Sequence, residues 1–106
     1  MNILILGATG LLGQHLFIGL KNNNNQVYGT LRNSNKKKFF PLNRHKDFIK
    51  TKNILDISEL EKTFEIFKID AVINCISITN ISQQSKEILN SVFTNFPMKL
   101  SQICSR

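Results

Sequence analysis

The chain has 106 residues, 42% of them hydrophobic, with a formal charge of +7, enough for one compact core and too little for two. Its apolar opening follows Asn2 rather than a basic stretch and stops at Gly7, which argues against an export signal and a membrane span and for a cytoplasmic protein. Cys75 and Cys104 lack any CxxC or nearby histidine spacing, so neither a disulfide framework nor a zinc site is expected, only reduced and partly buried thiols.

Residues 1–6 form a short apolar run without alternation, the pattern of a strand covered on both faces. From Leu11 onward Leu12, Leu16, Phe17 and Leu20 recur at helical spacing until the polar stretch 22–25 ends the pattern. A second strand is predicted over 26–31 ("QVYGTL"), with Gly29 as its weak point. Residues 33–46 are polar and basic around "FFPL" and read as a loop with one helical turn. A short third strand is predicted over 47–54. The next helix is marked by Ser58 and Glu61 at capping-box spacing and by the stripe Leu60, Phe64, Phe67. Residues 70–76 predict a fourth strand interrupted by Asn74, and 83–105 a last helix bent near Pro97.

Strands separated by crossovers imply a parallel α/β sheet with right-handed connections. With the first strand central, the expected strand order is 3-2-1-4, the amino-terminal half of a doubly wound, Rossmann-like fold.

The stretch "GATGLLG" (7–13) stands between the first strand and the first helix. A helix amino terminus presents unpaired N–H groups and about half a positive charge, and so holds an anion. In that setting Gly7 allows the tight turn, Gly10 a close approach of phosphate, and Gly13 the packing of helix on sheet. The spacing is one residue longer in its first interval than G-x-G-x-x-G. Arg32 follows the second strand about twenty residues after the glycines, with no carboxylate nearby. A guanidinium there suits a ribose 2′-phosphate, which favours NADP, with NAD as the alternative.

"ILILGATGLLGQHL" resembles the amino-terminal signature of the extended short-chain dehydrogenase/reductases, where TGxxGxxG is the cofactor loop and Leu6 stands at the threonine. The resemblance implies cofactor contacts from Gly7, Thr9, Gly10, Leu11, Leu12 and Gly13. It also implies that Asp56, with Ile57 beside it, contacts the adenine amino group; the competing role for Asp56 is the amino end of the following helix. Asn74, Cys75 and Ile76 in "VINCIS" (72–77) would pass beneath the cofactor's ribose and phosphates. Asn74 in a buried strand then needs a hydrogen bond, and Cys75 is expected to pack rather than react.

The fourth strand and "LNSVFTNFPMKLSQIC" are similar to the nucleotide-sugar reductase branch, typified by dTDP-4-dehydrorhamnose reductase, with Pro97 and Leu100 in step and Phe93 where that branch has asparagine. The resemblance covers about the first third of such an enzyme. Its Tyr-x-x-x-Lys is not here: the one tyrosine, Tyr28, has Arg32 four residues on. No catalytic residue is therefore assigned, and His15 and His45 are expected at the surface. A nucleotide-sugar substrate is expected only where the substrate domain accompanies this one.

Two readings stay open: a cofactor domain of a nucleotide-sugar reductase or epimerase with little activity alone, and a non-catalytic regulatory module. The basic excess, mainly between Lys21 and Lys52, lacks interleaved aromatics beyond Phe39 and Phe40, so nucleic acid is not an expected partner. An unflanked fourth strand would favour self-association.

Overall fold

The computed structural model describes residues 1–76 and 86–104. Its four strands are β1 (Asn2–Leu6), β2 (Gln26–Leu31), β3 (Phe48–Lys50) and β4 (Ala71–Asn74), all parallel, in the expected order β3-β2-β1-β4. The helices are α1 (Leu11–Gly19), α2 (Ile57–Phe67), α3 (Lys86–Asn90) and α4 (Phe96–Cys104), with a π-helical turn at Ser91–Asn95 joining the last two.

The first strand explains its own composition. Ile3 and Ile5 enter one cluster with Phe17 of α1, Val27, Leu31 and Phe48. Leu4 and Leu6 point the other way, onto Leu60 of α2 and Phe96, Leu100 and Ile103 of α4. Both faces are covered, so alternation would serve no purpose. Gly29 is a point of close approach rather than a weak point, because a Cβ there would lie 2.5 Å from Ala8 Cβ and 3.0 Å from the Phe17 ring.

Several boundaries differ from expectation. The segment after β2 forms two 3-10 helices, Ser34–Phe39 and Leu42–Asp47, separated at Pro41. Its Phe40 turns inward, with its ring centroid 5.5 Å from that of Phe17 and 4.7 Å from that of Phe48. β3 is only three residues long: after Thr51 donates its N–H to Leu31 O at 2.9 Å, the Asn53 carbonyls accept from Leu55 and Asp56 and turn the chain toward α2. The α2 cap is Asp56, not Ser58. Asp56 Oδ1 accepts from the N–H groups of Ser58 at 3.0 Å and Glu59 at 3.3 Å, satisfying two orphan donors of the first turn. Pro97 is the second residue of α4 and follows directly on the π turn, so the irregularity expected near it lies just before it, where a residue without an N–H interrupts the regular helical ladder. Residues 83–85 and 105 of the predicted last helix lie outside the described residues.

Among the described residues no helix is long and apolar enough to cross a membrane. No group of three His, Cys, Asp or Glu is placed to hold a metal among them.

Candidate functional site

A cleft of about 1030 Å³ runs along the carboxyl ends of the strands, from the turn after β1 across the ends of β2 and β3 on one side and β4 on the other. This is the crevice where open α/β sheets carry their ligands.

The β1–α1 turn is built by its glycines. Gly7 has φ +75°, and a Cβ on it would meet Cys75 O at 3.0 Å, so both conformation and space demand glycine. At Gly13 a Cβ would collide with the Gly7 carbonyl oxygen and come within 3.0 Å of Ala8 Cα, which fixes how closely α1 sits on the turn. Gly10 differs: its nearest neighbour would be Gly7 O at 3.5 Å, ordinary contact, so the missing side chain leaves room on the cleft side rather than relieving a clash.

Hydrogen bonding decides which amides remain for a ligand. Gly7 donates to Thr30 Oγ1 at 3.0 Å, Ala8 to Thr30 O at 3.2 Å, and Gly10 to Gly7 O at 3.2 Å. α1 then begins at Leu11 with Gly10 as a cap that offers no side-chain acceptor and with no acidic residue in the first turn. The amides of Leu11, Leu12 and Gly13 have no acceptor within the helix. Leu11 and Leu12, read from sequence as part of an apolar stripe, are 76% and 63% exposed and line the cleft, while Gly13 and Phe17 make the buried side of α1.

The sequence-expected residues divide. Gly7, Thr9, Gly10, Leu11, Leu12, Arg32, Asn74, Cys75 and Ile76 all line the cleft. Gly13 lies behind it, and Asp56 and Ile57 lie outside its wall, the Asp56 carboxylate being turned to α2. In their place the cleft takes Thr51, Lys52, Asn53 and Ile54. The register pairs Leu31 with Lys50, so Arg32 and Lys52 leave adjacent strand ends together, both exposed.

On the other wall Asn74 is exposed rather than buried, because β4 ends there. Its Oδ1 accepts from Ile76 N–H at 3.1 Å, so the side chain shapes the chain leaving the strand. Cys75 is half-buried, its N–H donating to Leu6 O at 2.9 Å, and burial pushes its thiol above the usual range, which suits packing. Cys104, expected partly buried, is exposed at the end of α4. Exposed His15 matches expectation, whereas His45 is held by Phe40 O at 3.0 Å.

The sequence model of the NAD dependent epimerase/dehydratase family matches residues 3–102. The chain belongs to that family. A search of curated proteins found no match. Among solved structures, the chain is similar to L-threonine dehydrogenase from Clostridium difficile, at 23% identity and TM-score 0.75 over 96% of this chain and 32% of that one. It is similar to dTDP-glucose 4,6-dehydratase from Bacillus anthracis, solved in complex with NAD, at 16% identity and TM-score 0.71 over 99% and 34%. An oxidoreductase from Lactococcus lactis gives 23% identity and TM-score 0.65 over 99% and 43%. The chain thus spans between 32% and 43% of the length of these structures.

Within this family member the arrangement offers, among the described residues, a helix end without a side-chain cap at α1 and two cations at the far rim. Tyr28 lies with its ring 5.0 Å from that of Phe67, against α2.

Proposed function

We propose that the cleft binds a nicotinamide dinucleotide, NADPH in preference to NADH, as the cofactor domain of a cytoplasmic nucleotide-sugar reductase resembling dTDP-4-dehydrorhamnose reductase. The observation that carries the reading is the α1 amino terminus, whose amides face an open cleft beside Gly10 with no carboxylate of the protein's own. The residues fit the group. Leu11 and Leu12 amides would hold the pyrophosphate, the helix end favouring its charge. Arg32, with Lys52 beside it, would hold the 2′-phosphate, and the guanidinium's planar fork suits that anion. Asn53 and Ile54, which the cleft contains where Asp56 and Ile57 were expected, would border the adenine. Asn74, Cys75 and Ile76 would line the ribose and nicotinamide side.

When bound, the cofactor supplies hydride. The protein's part in this domain is to orient the dinucleotide; protonating and positioning a sugar carbonyl requires groups beyond those present in these 106 residues. The family's own description favours a second reading, in which the same cleft serves an epimerase or dehydratase.

Titration with NADPH and NADH tests the cofactor reading. Gly10→Ala is expected to weaken both cofactors, by placing a methyl where phosphate must approach. Arg32→Ala is expected to weaken NADPH alone. Failure of the wild-type chain to bind either dinucleotide at millimolar concentration would sink the proposal.

A further inference from the structure

The glycine turn does not hold its own shape. Gly7 sits at φ +75°, a conformation glycine tolerates but does not select, since it populates both signs of φ about equally. Something outside the turn must choose the sign. Two bonds from one residue of the neighbouring strand do so: Thr30 Oγ1 accepts the Gly7 N–H at 3.0 Å, and Thr30 O accepts the Ala8 N–H at 3.2 Å.

We propose that Thr30 is a positioning residue for the dinucleotide site, its hydroxyl fixing the Gly7 peptide so that the α1 amides face the cleft; this rests on the cofactor reading above. Thr30 is 2% exposed and belongs to the cleft wall, so its hydroxyl is held in place by packing and shielded from competing water. The carbonyl bond to Ala8 is a main-chain contact that any residue at position 30 would offer. The bond to Gly7 is different, because it needs a side-chain acceptor, here the Thr30 hydroxyl. Leu6, immediately before the turn, cannot supply one: its side chain is fully buried among Leu60, Phe96 and Leu100. The effect passes along the turn. Gly7 O accepts from Gly10 N–H at 3.2 Å, and Gly10 O accepts from Gln14 N–H at 2.9 Å, so the orientation of the Gly7 peptide sets the cap of α1. With the Gly7 and Ala8 amides both occupied by Thr30, an anion is directed to the later amides of Leu11 and Leu12.

Thr30→Val removes the acceptor while keeping shape, and Thr30→Ser restores it. Two readouts apply: dinucleotide affinity, and the hydrogen exchange of the Gly7 amide measured by NMR without any ligand. Expected are a loss of about tenfold in affinity for NADPH and NADH alike in the valine variant, the size of one hydrogen bond. Gly7 exchange should be faster in that variant, and serine should restore both. Unchanged Gly7 exchange in Thr30→Val, or affinity that serine does not restore, overturns the assignment. Should the wild-type chain bind no dinucleotide while Gly7 exchange responds as expected, the cofactor reading fails and the positioning of the turn by Thr30 stands.

Discussion

Arg44 Nε lies 2.8 Å from Asp47 Oδ2, three residues on, while Arg44 Nη2 donates to Phe17 O at 2.9 Å and the guanidinium carbon stands 4.1 Å from the Phe17 ring centroid. Asp47 also accepts from Gln26 Nε2 at 2.9 Å and from Lys21 Nζ at 3.3 Å. The buried Arg44–Asp47 pair therefore ties the second 3-10 helix to α1 through Arg44, and to the start of β2 and the turn before it through Asp47. Burial alone would raise the Asp47 carboxyl, but hydrogen bonds from Arg44, Lys21 and Gln26, with the charge of Lys21, outweigh it and hold the group below its ordinary value. A depressed carboxylate contributes stability that is present above its unfolded value near about 3.9 and is lost as pH falls through the lower folded value. Asp47→Ala is expected to cost roughly 3–5 kcal/mol, because it leaves Arg44 buried and unpaired. Urea denaturation at pH 7 measures the loss. Repeated between pH 5 and pH 2, it should show the wild type losing stability toward acid more steeply than the variant.

The three glycines of the turn separate fold from binding. Gly10→Ala meets only ordinary contact, and its φ of −73° suits alanine. Stability is expected to stay within about 0.5 kcal/mol of wild type while dinucleotide affinity falls. Gly7→Ala forces a side chain into left-handed backbone, at roughly 1–2 kcal/mol, and Gly13→Ala overpacks the helix against the turn, at roughly 1–3 kcal/mol. Thermal melts with and without NADPH distinguish the three. A Gly10 variant as unstable as the Gly13 variant would contradict the geometry.

What could be read in advance follows from how local the cause was. The glycine turn was legible because a two-faced apolar strand, glycines and a helix occur in succession within twenty residues, and the strand order because strands and helical crossovers alternate along the chain. Asp56 was legible only as an alternative, since a carboxylate before a helix reads the same whether it faces ligand or cap; in the structure its Oδ1 caps α2 after the Asn53 turn. Thr30 was not legible. A threonine is ordinary in a strand, and its partner Gly7 lies 23 residues away. Arg44 and Asp47 were hidden in a basic, patternless stretch because their bonds reach across to Phe17 and Gln26.

Asp56 and Asn53 make opposite predictions. Asp56→Ala removes the α2 cap and is expected to cost about 1 kcal/mol of stability with dinucleotide affinity unchanged. Asn53→Ala is expected to weaken binding of NADPH and NADH together, since both carry adenine. Calorimetric titration of the two variants checks this; weakened binding in the Asp56 variant, with Asn53→Ala silent, would return the adenine contact to Asp56.

Residues 32–52 hold eight lysines and arginines against one acidic residue, Asp47, and thus the equivalent of the chain's whole net charge. Arg32 and Lys52 enter the cleft and Lys36, Lys37 and Lys38 stand beyond it on the first 3-10 helix. Such a field speeds arrival of an anion and is screened by salt, the Debye length shrinking from about 10 Å at 0.1 M to about 3 Å at 1 M. Stopped-flow binding should show the association rate for NADPH falling with salt more than the dissociation rate rises. Replacing Lys36, Lys37 and Lys38 by glutamate should slow association while leaving dissociation nearly constant. Equal effects on both rates would place these lysines in contact with ligand instead.

The two edges of the sheet are protected unequally. β3 is three residues long, ends in Lys50 and is followed by Thr51 and Lys52, a short charged edge of the kind that resists pairing. β4 is Ala71-Val72-Ile73-Asn74, its first three residues half-buried, and among the described residues its outer side has no partner strand. Beside it a hollow of about 450 Å³ is lined by apolar Phe64, Ile69, Val72 and Ile103 and, at its rim, by Glu61, Glu65 and Asp70. Open backbone groups next to apolar surface form a template for another strand, so the 106-residue chain is expected to self-associate through β4. Sedimentation velocity at roughly tens of micromolar, where exposed edges aggregate, should show species larger than a monomer. Val72→Lys, which places a charge at that edge, should shift the distribution toward monomer. A single monomeric boundary for the wild-type chain would show that the β4 edge is satisfied within the molecule.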